Sequence, residues 1–455
     1  MKIVIIGVGT IGKTILKNLA NDNHTITIID EDRERIETLI ESYDVFGIVG
    51  NGACLDIQAE AKVKDADLVI ALTGSDELNI LSCLVANKAG AKNTIARVRN
   101  PAYTKQFTEM KEELGISMII NPEKETAEEI FNLISLPSVA QIESFAKGKV
   151  SLVEIVLDEK SFLAGETLIS LSKKINTRVL ICAVQRGNEV FIPNGNTVLA
   201  VGDRINFTAD ASSLEDFLTE INLVNSPLRK IMIIGGGKVA YYLANQISKP
   251  SRKRYKLKIV EVDKARAEAL ADALPRATVV YGDGRRHDLL IEEGIESMDA
   301  LIPLTGNDEE NIIVSMFANK LNIKKTITQI KSDELYDMLG ELGIFNTVST
   351  KNIVASKVLS YIRAIANKRG SNVLTLYRLV NGQVEAVEFF AKKQGRTIYE
   401  KPLKNLKIKK DCLIACIIRD ETVIIPDGNS CIMQNDNVIV VTTHKNFDDL
   451  TDIFE

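Results

Sequence analysis

Histidine is scarce in this 455-residue chain, with only His24, His287 and His444 present. Acid–base chemistry at a hydride-transfer cofactor needs a proton donor or acceptor beside the reacting atoms. None of the three is suited to that: His24 precedes a strand pattern, His287 sits in a loop of mixed charge and His444 is near the C-terminus. Cysteine is also sparse, at 6 residues with no Cys-x-x-Cys spacing. That excludes the usual zinc and dithiol patterns and reads as buried apolar residues in a reducing cytosol. No G-x-S-x-G and no Walker A loop occurs, which removes the usual acyl-transfer and P-loop chemistries. No apolar run approaches the roughly 20 residues needed to cross a bilayer. The opening MKIVIIG reads as a strand, not as a signal peptide. Positive charge is not in excess, with 56 basic against 61 acidic residues, so duplex nucleic acid is not an expected partner. A composition of 45% hydrophobic and 26% charged residues excludes a disordered or fibrous chain. The expectation is a soluble, cytoplasmic, multi-domain protein.

What the chain does have is an internal repeat. KIVIIGVGTIG (Lys2 to Gly12) returns as KIMIIGGGKVA (Lys230 to Ala240), and ALTGSDELNI (Ala71 to Ile80) returns as PLTGNDEENI (Pro303 to Ile312). GIVGNGACLDI matches VVYGDGRRHDL, and FIPNGNTV matches IIPDGNSC, at offsets of about 228 to 233 residues. Four ordered matches at a near-constant offset mark a tandem duplication whose unit is too long for a solenoid repeat. In each half, near-continuous apolar runs such as KIVIIG, TITIID, VFGIVG, DLVIAL, NTIARV and SMIINP alternate with helical patterns. That rhythm predicts a doubly wound parallel sheet with right-handed crossovers. A helical connection follows each sheet domain, at Pro122 to Leu136 and Lys351 to Asn367, and then a smaller α+β module. Each module carries a Pro-Asn-Gly or Pro-Asp-Gly turn and closes with a short amphipathic helix, Leu214 to Ile221 and Phe447 to Phe454. The fold class is therefore α/β, with sheet domains at 1–140 and 226–370 alternating with small modules at 141–225 and 371–455, jointed near Asn225-Ser226-Pro227.

Gly7, Gly9 and Gly12 form G-x-G-x-x-G between a strand and a helix pattern. The first glycine permits the tight turn, the second lets backbone approach a pyrophosphate, and the third allows close helix–strand packing. The intervening Val8, Thr10 and Ile11 belong to the same turn, whose helix start offers N–H groups to phosphate. Asp30 ends the second strand, where a carboxylate accepts hydrogen bonds from ribose hydroxyls. Glu31 and Asp32 beside it disfavour a 2′-phosphate, so NAD(H) or another adenine nucleotide such as ATP or ADP is expected rather than NADP. Asn51, after the third strand, falls near the adenine, and Thr73 and Gly74, after the fourth, near the ligand's other half. Asp76 and Glu77 read as a helix start. Arg97 and Arg99, read as alternating on one face of the fifth strand, can clamp phosphates or pair with a neighbouring helix. The second copy keeps Gly235 and Gly237, has Ala240 at the third position, and places Glu261, Asp283 and Thr305 where Asp30, Asn51 and Thr73 stand. Gln329 and Lys331 replace the arginines, so its pocket is expected to bind more weakly or to take a different ligand. Nucleotide binding without catalytic groups reads as sensing. The alternative is an NAD-dependent oxidoreductase with duplicated dinucleotide-binding domains.

The series GVGTIG…IID…GNG…LTGSDELN…RVRN, duplicated and each time followed by a module with its Pro-Asn-Gly or Pro-Asp-Gly turn, resembles the regulator of potassium conductance (RCK, or KTN) family. The N-C-N-C order in one chain is similar to that of the TrkA family of potassium uptake regulators. The resemblance implies Rossmann-like RCK-N domains, RCK-C modules, no enzymatic activity, and a ring assembly, with a homotetramer supplying eight sheet domains. It implies a membrane-embedded potassium transporter subunit as partner and a peripheral position at the inner face of the cell membrane. By the same resemblance, Gly7, Gly9, Gly12, Asp30, Asn51, Thr73 and Arg97 occupy nucleotide-pocket positions. The small modules resemble domains that dimerise and in some members bind a small effector, a cyclic dinucleotide being the candidate. A regulator of a different channel or an antiporter is the remaining reading within this architecture.

Overall fold

The computed structural model describes all residues except 21–23, 136–140, 146–148, 160, 188, 211–212, 222–227, 250–254, 341, 345, 368–372, 380–382, 392–397, 421, 446 and 448. The expected joint at Asn225-Ser226-Pro227 lies outside the described residues. The chain forms two compact units, Met1–Phe131 with Arg229–Ile362, and Asn132–Leu228 with Arg363–Glu455.

In the first unit the amino-terminal half runs β1 (Lys2–Ile6), α1 (Thr10–Leu19), β2 (Thr25–Asp30), α2 (Arg33–Ser42), β3 (Phe46–Val49), α3 (Leu55–Glu60), β4 (Leu68–Ala71), α4 (Asp76–Ala89), β5 (Thr94–Arg97), α5 (Pro101–Met110), β6 (Met118–Ile120) and α6 (Pro122–Ser135). The six strands are parallel in the order β3-β2-β1-β4-β5-β6. Order reverses beside β1, which opens a crevice at the carboxyl ends of β1 and β4. The apolar runs explain the burial: Ile3, Val4, Ile5 and Ile6 of β1 and all four residues of β4 are inaccessible on both faces. Local signals set the helix ends. Ser75 caps α4 by accepting from the Leu78 N–H, and Gly90, at φ 110°, stops it in a left-handed conformation.

The second half of the unit repeats the plan. It runs β12 (Lys230–Ile234), α9 (Lys238–Ile247), β13 (Lys256–Glu261), α10 (Lys264–Ala273), β14 (Ala277–Tyr281), α11 (His287–Glu292), β15 (Ala300–Pro303), α12 (Asp308–Lys320), β16 (Lys325–Thr326), β17 (Thr328–Gln329), α13 (Asp333–Met338), β18 (Thr347–Val348) and α14 (Thr350–Asn367). Its sheet has the order β14-β13-β12-β15-β16, while β17 and β18 pair separately. The run read as one fifth strand, TITQI, is therefore interrupted at Ile327. The two halves touch through Asn121 and Tyr242 at 2.8 Å, Thr126 and Thr350 at 2.9 Å, and a Lys357–Glu125 ion pair.

The second unit holds two antiparallel sheets. The first contains β7 (Gln141–Phe145), β8 (Val150–Val156), β9 (Val179–Arg186), β10 (Glu189–Phe191) and β11 (Arg204–Asp210), with α7 (Leu168–Lys174) and α8 (Leu214–Glu220). The second contains β19 (Val373–Leu379), β20 (Val384–Phe390), β21 (Cys412–Arg419), β22 (Thr422–Ile424) and β23 (Asn437–Thr442). Their orders, β10-β9-β11-β8-β7 and β22-β21-β23-β20-β19, are the same. Phe145, Leu152, Cys182 and Ala183 of one sheet share a core with Ala386, Ala415, Cys416 and Val441 of the other. The Thr208 hydroxyl donates to the Ala415 carbonyl at 3.0 Å. The outer strands β7 (QIESF) and β19 (VLTLYRL) were not among the strands expected. The closing helix expected at Phe447 to Phe454 is a short 3-10 turn, Leu450–Ile453. The cysteines are not uniformly buried: Cys83, Cys182 and Cys416 are, but Cys54 is exposed. Among the described residues no helix is long and apolar enough to cross a membrane.

One ion pair recurs in both modules. Arg186 grips Asp203 with two bonds, of 2.8 and 2.7 Å, and Arg419 grips Asp436 with bonds of 3.0 and 2.9 Å. Each carboxylate is 1% exposed and also accepts a backbone N–H, from Ala200 or Met433. Burial pushes the Asp203 carboxyl up, but the Arg186 bonds, the Ala200 N–H and the Arg186 charge outweigh it and hold it below its ordinary value. A carboxyl lowered on folding stabilises above its unfolded pKa of about 3.9 and loses that contribution as pH falls through the folded value. Asp203→Asn should therefore lose about 1–3 kcal/mol at pH 7. Chemical denaturation at pH 7 and pH 3 checks this: the variant's deficit at pH 7 shrinks at pH 3.

Candidate functional site

The carboxyl ends of β1, β2, β4 and β5 bring the first set of singled-out residues to one edge. Gly7 leaves β1 at φ +86°, and a Cβ there would lie 2.7 Å from the Thr73 nitrogen. Only glycine fits both conditions. Gly12, on α1, packs so closely that a Cβ would sit 2.4 Å from the Gly7 carbonyl oxygen. A Cβ on Gly9 would meet nothing within 4 Å. Gly9 precedes Thr10 and Ile11 at the start of α1, and no side chain caps that start. Open space and an uncapped helix start therefore coincide.

Asp30, at the end of β2, holds this turn. Its carboxylate accepts from the Val8 N–H at 2.8 Å and the Asp32 N–H at 3.0 Å, and Arg35 pairs with it at 3.1 Å. Arg35 also pairs with Asp32, so the arginine that could have met a 2′-phosphate is already engaged. Asn51 bonds within its own turn, accepting from the Ala53 N–H. That turn is pressed against the end of β1, since a Cβ on Gly52 would fall 2.1 Å from the Ile6 side chain.

Beyond β4, Thr73 is fixed by a residue the sequence did not single out. The fully buried Asn79 accepts from the Thr73 N–H at 2.7 Å and hydroxyl at 2.8 Å, and donates to the Arg97 carbonyl at 3.0 Å. Asn311 does the same for Thr305 and the Gln329 carbonyl. The repeated LTGSDELN and LTGNDEEN was the available signal. Asp76 also exceeds its expected role at a helix start, because its carboxylate accepts the N–H groups of Arg99 and Asn100 at 3.0 and 2.8 Å.

The arginines do not form the expected alternating pair on a strand. Arg97 ends β5, but Arg99 lies beyond it, in the loop before α5. Arg99 donates to the Gly74 carbonyl and approaches Asp76 at 3.7 Å, and Arg97 reaches the Thr73 carbonyl at 3.5 Å. Lys331 likewise donates to the Gly306 carbonyl at 2.6 Å, so this position secures the loop in both halves. Burial, then the like charge of Arg99, pull the Arg97 guanidinium below its ordinary value, against the opposing pull of Glu123 and Asp76. The Arg97 Nε and Arg99 Nε are buried and have no hydrogen-bond partner among the described residues. The two guanidinium groups beside the Thr73–Gly74 loop, an uncapped helix start and open space over Gly9 and Gly74 fit a ligand carrying phosphates.

In the second half, Gly235 has φ +100° and Gly237 faces open space. Glu261 is 2% exposed and accepts from the Gly236 and Asp263 N–H groups at 2.5 and 2.8 Å. Asp283 is tied to Arg285, which also reaches Glu310, and those Arg285 bonds hold the Asp283 carboxyl below its ordinary value. Ala240, fully buried, stands in place of the third glycine. Gln329 supplies no charge and donates to Thr350 at 3.0 Å. The phosphate end of this pocket keeps one cation, Lys331, where the first has two.

Residues 3–122 and 231–350 match the TrkA-N domain, and residues 152–222 match the TrkA-C domain. The chain belongs to the TrkA family. It is 34% identical over 447 residues to Trk system potassium uptake protein TrkA homolog 1 of Methanosarcina mazei, covering 97% of each. It is 30% identical over 455 residues to Trk system potassium uptake protein TrkA of Vibrio alginolyticus, covering 98% of this chain and 97% of that one. Among solved structures, the GsuK channel shares its fold with a TM-score of 0.64 at 20% identity, over 97% of this chain and 76% of that one. A structure described as the GsuK channel bound to NAD gives 0.62 at 17% identity, with the same coverage. The TrkA-C match lies in the first small module, and the second module has the same strand order.

The two glycines separate fold from ligand space. Gly7→Ala should cost about 1–3 kcal/mol through its left-handed backbone and the clash at Thr73, and lower the melting temperature by several degrees. Gly9→Ala should leave it within about a degree, because its Cβ enters open space. Thermal denaturation of the two proteins checks the contrast.

Proposed function

We propose that the first Gly-rich turn binds an adenine nucleotide, NAD(H) or ATP/ADP, and that the chain is the cytoplasmic, non-enzymatic regulatory subunit of a Trk-type potassium uptake system. The observation that carries the nucleotide reading is the convergence of the uncapped α1 start, the open face of Gly9 and the Arg97 and Arg99 guanidinium groups beside the Thr73–Gly74 loop. Asp30, braced by Val8 and Arg35, presents its carboxylate at the ribose end, and Asn51 lies toward the adenine. Thr73, Gly74, Arg97 and Arg99 take the phosphate end.

The partner reading rests on near-full-length likeness to proteins named as Trk system potassium uptake proteins. The GsuK channel, whose fold this chain shares, has been described bound to NAD and to ADP. In this account the chain forms a homotetrameric ring at the inner face of the cell membrane, against a membrane-embedded transporter subunit. A nucleotide that binds two ring conformations unequally shifts their populations, and that shift reaches the transporter. A ligand binding both equally would regulate nothing. The second pocket, around Gly235, Gly237, Glu261, Asp283 and Thr305, binds more weakly or takes a less charged ligand, because Gln329 removes a cation. The small modules are the place for a second effector such as a cyclic dinucleotide.

Equilibrium binding of NADH and ATP tests the pocket. Asp30→Ala and Arg97→Ala should each weaken binding by about tenfold, the loss of one charge-assisted contact of about 1.4 kcal/mol. Parent-like binding by both variants would place the nucleotide elsewhere, and sustained NADH oxidation would replace regulation by catalysis.

A further inference from the structure

The phosphate end of the first pocket is braced by a residue from the other half of the chain. The segment Val98–Asn100, which follows Arg97 and carries Arg99, is held from two sides. Asp76 takes its N–H groups, at Arg99 and Asn100. Its carbonyl oxygens face Thr104, whose single hydroxyl hydrogen is shared between Asn100 at 2.9 Å and Val98 at 3.2 Å, and Asn121, whose amide nitrogen lies 3.4 Å from the Arg99 carbonyl. The same Asn121 amide donates to the Thr104 hydroxyl and to the Tyr242 hydroxyl, both at 2.8 Å. Asn121 is 2% exposed, and its other side-chain atom is committed to the Lys124 N–H at the start of α6. Tyr242 is the fifth residue of α9, the helix that begins at the second Gly-rich turn.

The pseudo-symmetric arrangement is missing. Val348 pairs with Gln329 as Ile120 pairs with Arg97, so Ser349 stands where Asn121 does. Its hydroxyl is buried without a hydrogen-bond partner among the described residues. Thr14, the fifth residue of α1, stands where Tyr242 does, and its hydroxyl bonds back to the Thr10 carbonyl in its own helix. The second pocket has a different contact across the halves: Thr126 donates to the Thr350 hydroxyl, which also accepts from the Gln329 amide.

We infer that Tyr242 is a positioning residue for the first pocket, supplied by the second half, which fixes Asn121 and through it the Arg97–Arg99 segment that meets ligand phosphates. The inference rests on the nucleotide reading above. Because Asp30 and Asn51 are not part of this network, Tyr242 governs recognition of phosphate and leaves recognition of the nucleoside untouched.

The test uses the full chain with Tyr242→Phe, which removes one oxygen, and Tyr241→Phe as a control on the same helix. ATP affinity should fall about five- to tenfold in Tyr242→Phe, as expected when a buried hydrogen-bond partner is removed, with adenosine affinity and the Tyr241→Phe protein unchanged. Equal losses for ATP and adenosine, or no loss for ATP, would overturn the inference. Hydrogen exchange of the Arg99 and Asn100 amides in ligand-free protein reads the bracing without any nucleotide. It should quicken several-fold in Tyr242→Phe, and unchanged exchange would overturn the bracing. If the parent binds neither ATP nor NADH, the function proposed above fails, and the exchange comparison still decides for or against Tyr242.

Discussion

A carboxylate at the end of the second strand holds each Gly-rich turn by its backbone. Asp30 takes the Val8 N–H and Glu261 takes the Gly236 N–H, and in each half an arginine on the following helix, Arg35 or Arg266, sits on the same carboxylate. The turn itself is possible only because Gly7 and Gly235 adopt positive φ against the loop after the fourth strand. Strand end, turn and loop are thus locked together, and the helix that leaves the turn is aimed by them. The open face of Gly9 and the uncapped start of α1 are consequences of that lock. So is the meeting of Thr73 and Arg97 through Asn79 at the same edge of the sheet.

Duplication has kept the lock and let the chemistry around it diverge. Both halves preserve the carboxylate, the first glycine, the Thr–Asn bracket and the acid that grips the loop after the fifth strand, Asp76 or Asp308. The groups that would meet a phosphate differ: Arg97 has become Gln329, and Gly12 has become Ala240. The bracing differs too, since Asn121 finds Tyr242 while Ser349 finds no counterpart in Thr14. The two Gly-rich turns thus differ in the cations beside them, Arg97 and Arg99 against Lys331 alone, and in the contact that reaches each from the other half, Tyr242–Asn121 against Thr126–Thr350. The small modules show the opposite outcome, with the Arg186–Asp203 pair reproduced almost atom for atom by Arg419–Asp436.

Much of this was legible in the sequence because it rests on local pattern. Buried parallel strands read as continuous apolar runs, and the repeat fixed their order twice. The strands that escaped, β7 and β19, each pair with one neighbour only, and their runs QIESF and VLTLYRL mix polar with apolar residues. In the pocket, the requirement for glycine at Gly7 follows from spacing and turn chemistry. Of the partners of Arg99, a helix carboxylate was an expected one, and Asp76 supplies it at 3.7 Å; the Gly74 carbonyl, exposed by a loop 25 residues earlier, was not. The Tyr242–Asn121 contact joins positions 121 residues apart across the two halves, and no local pattern encodes it.

The central claim is that nucleotide occupancy of the first pocket changes what a potassium transporter does. Its most direct test is potassium flux through a Trk-type transporter reconstituted with this chain, titrated with NADH or ATP. The account predicts that flux changes with a midpoint matching nucleotide binding, and that Asp30→Ala shifts both midpoints together. Flux that stays the same while the pocket is saturated would contradict it.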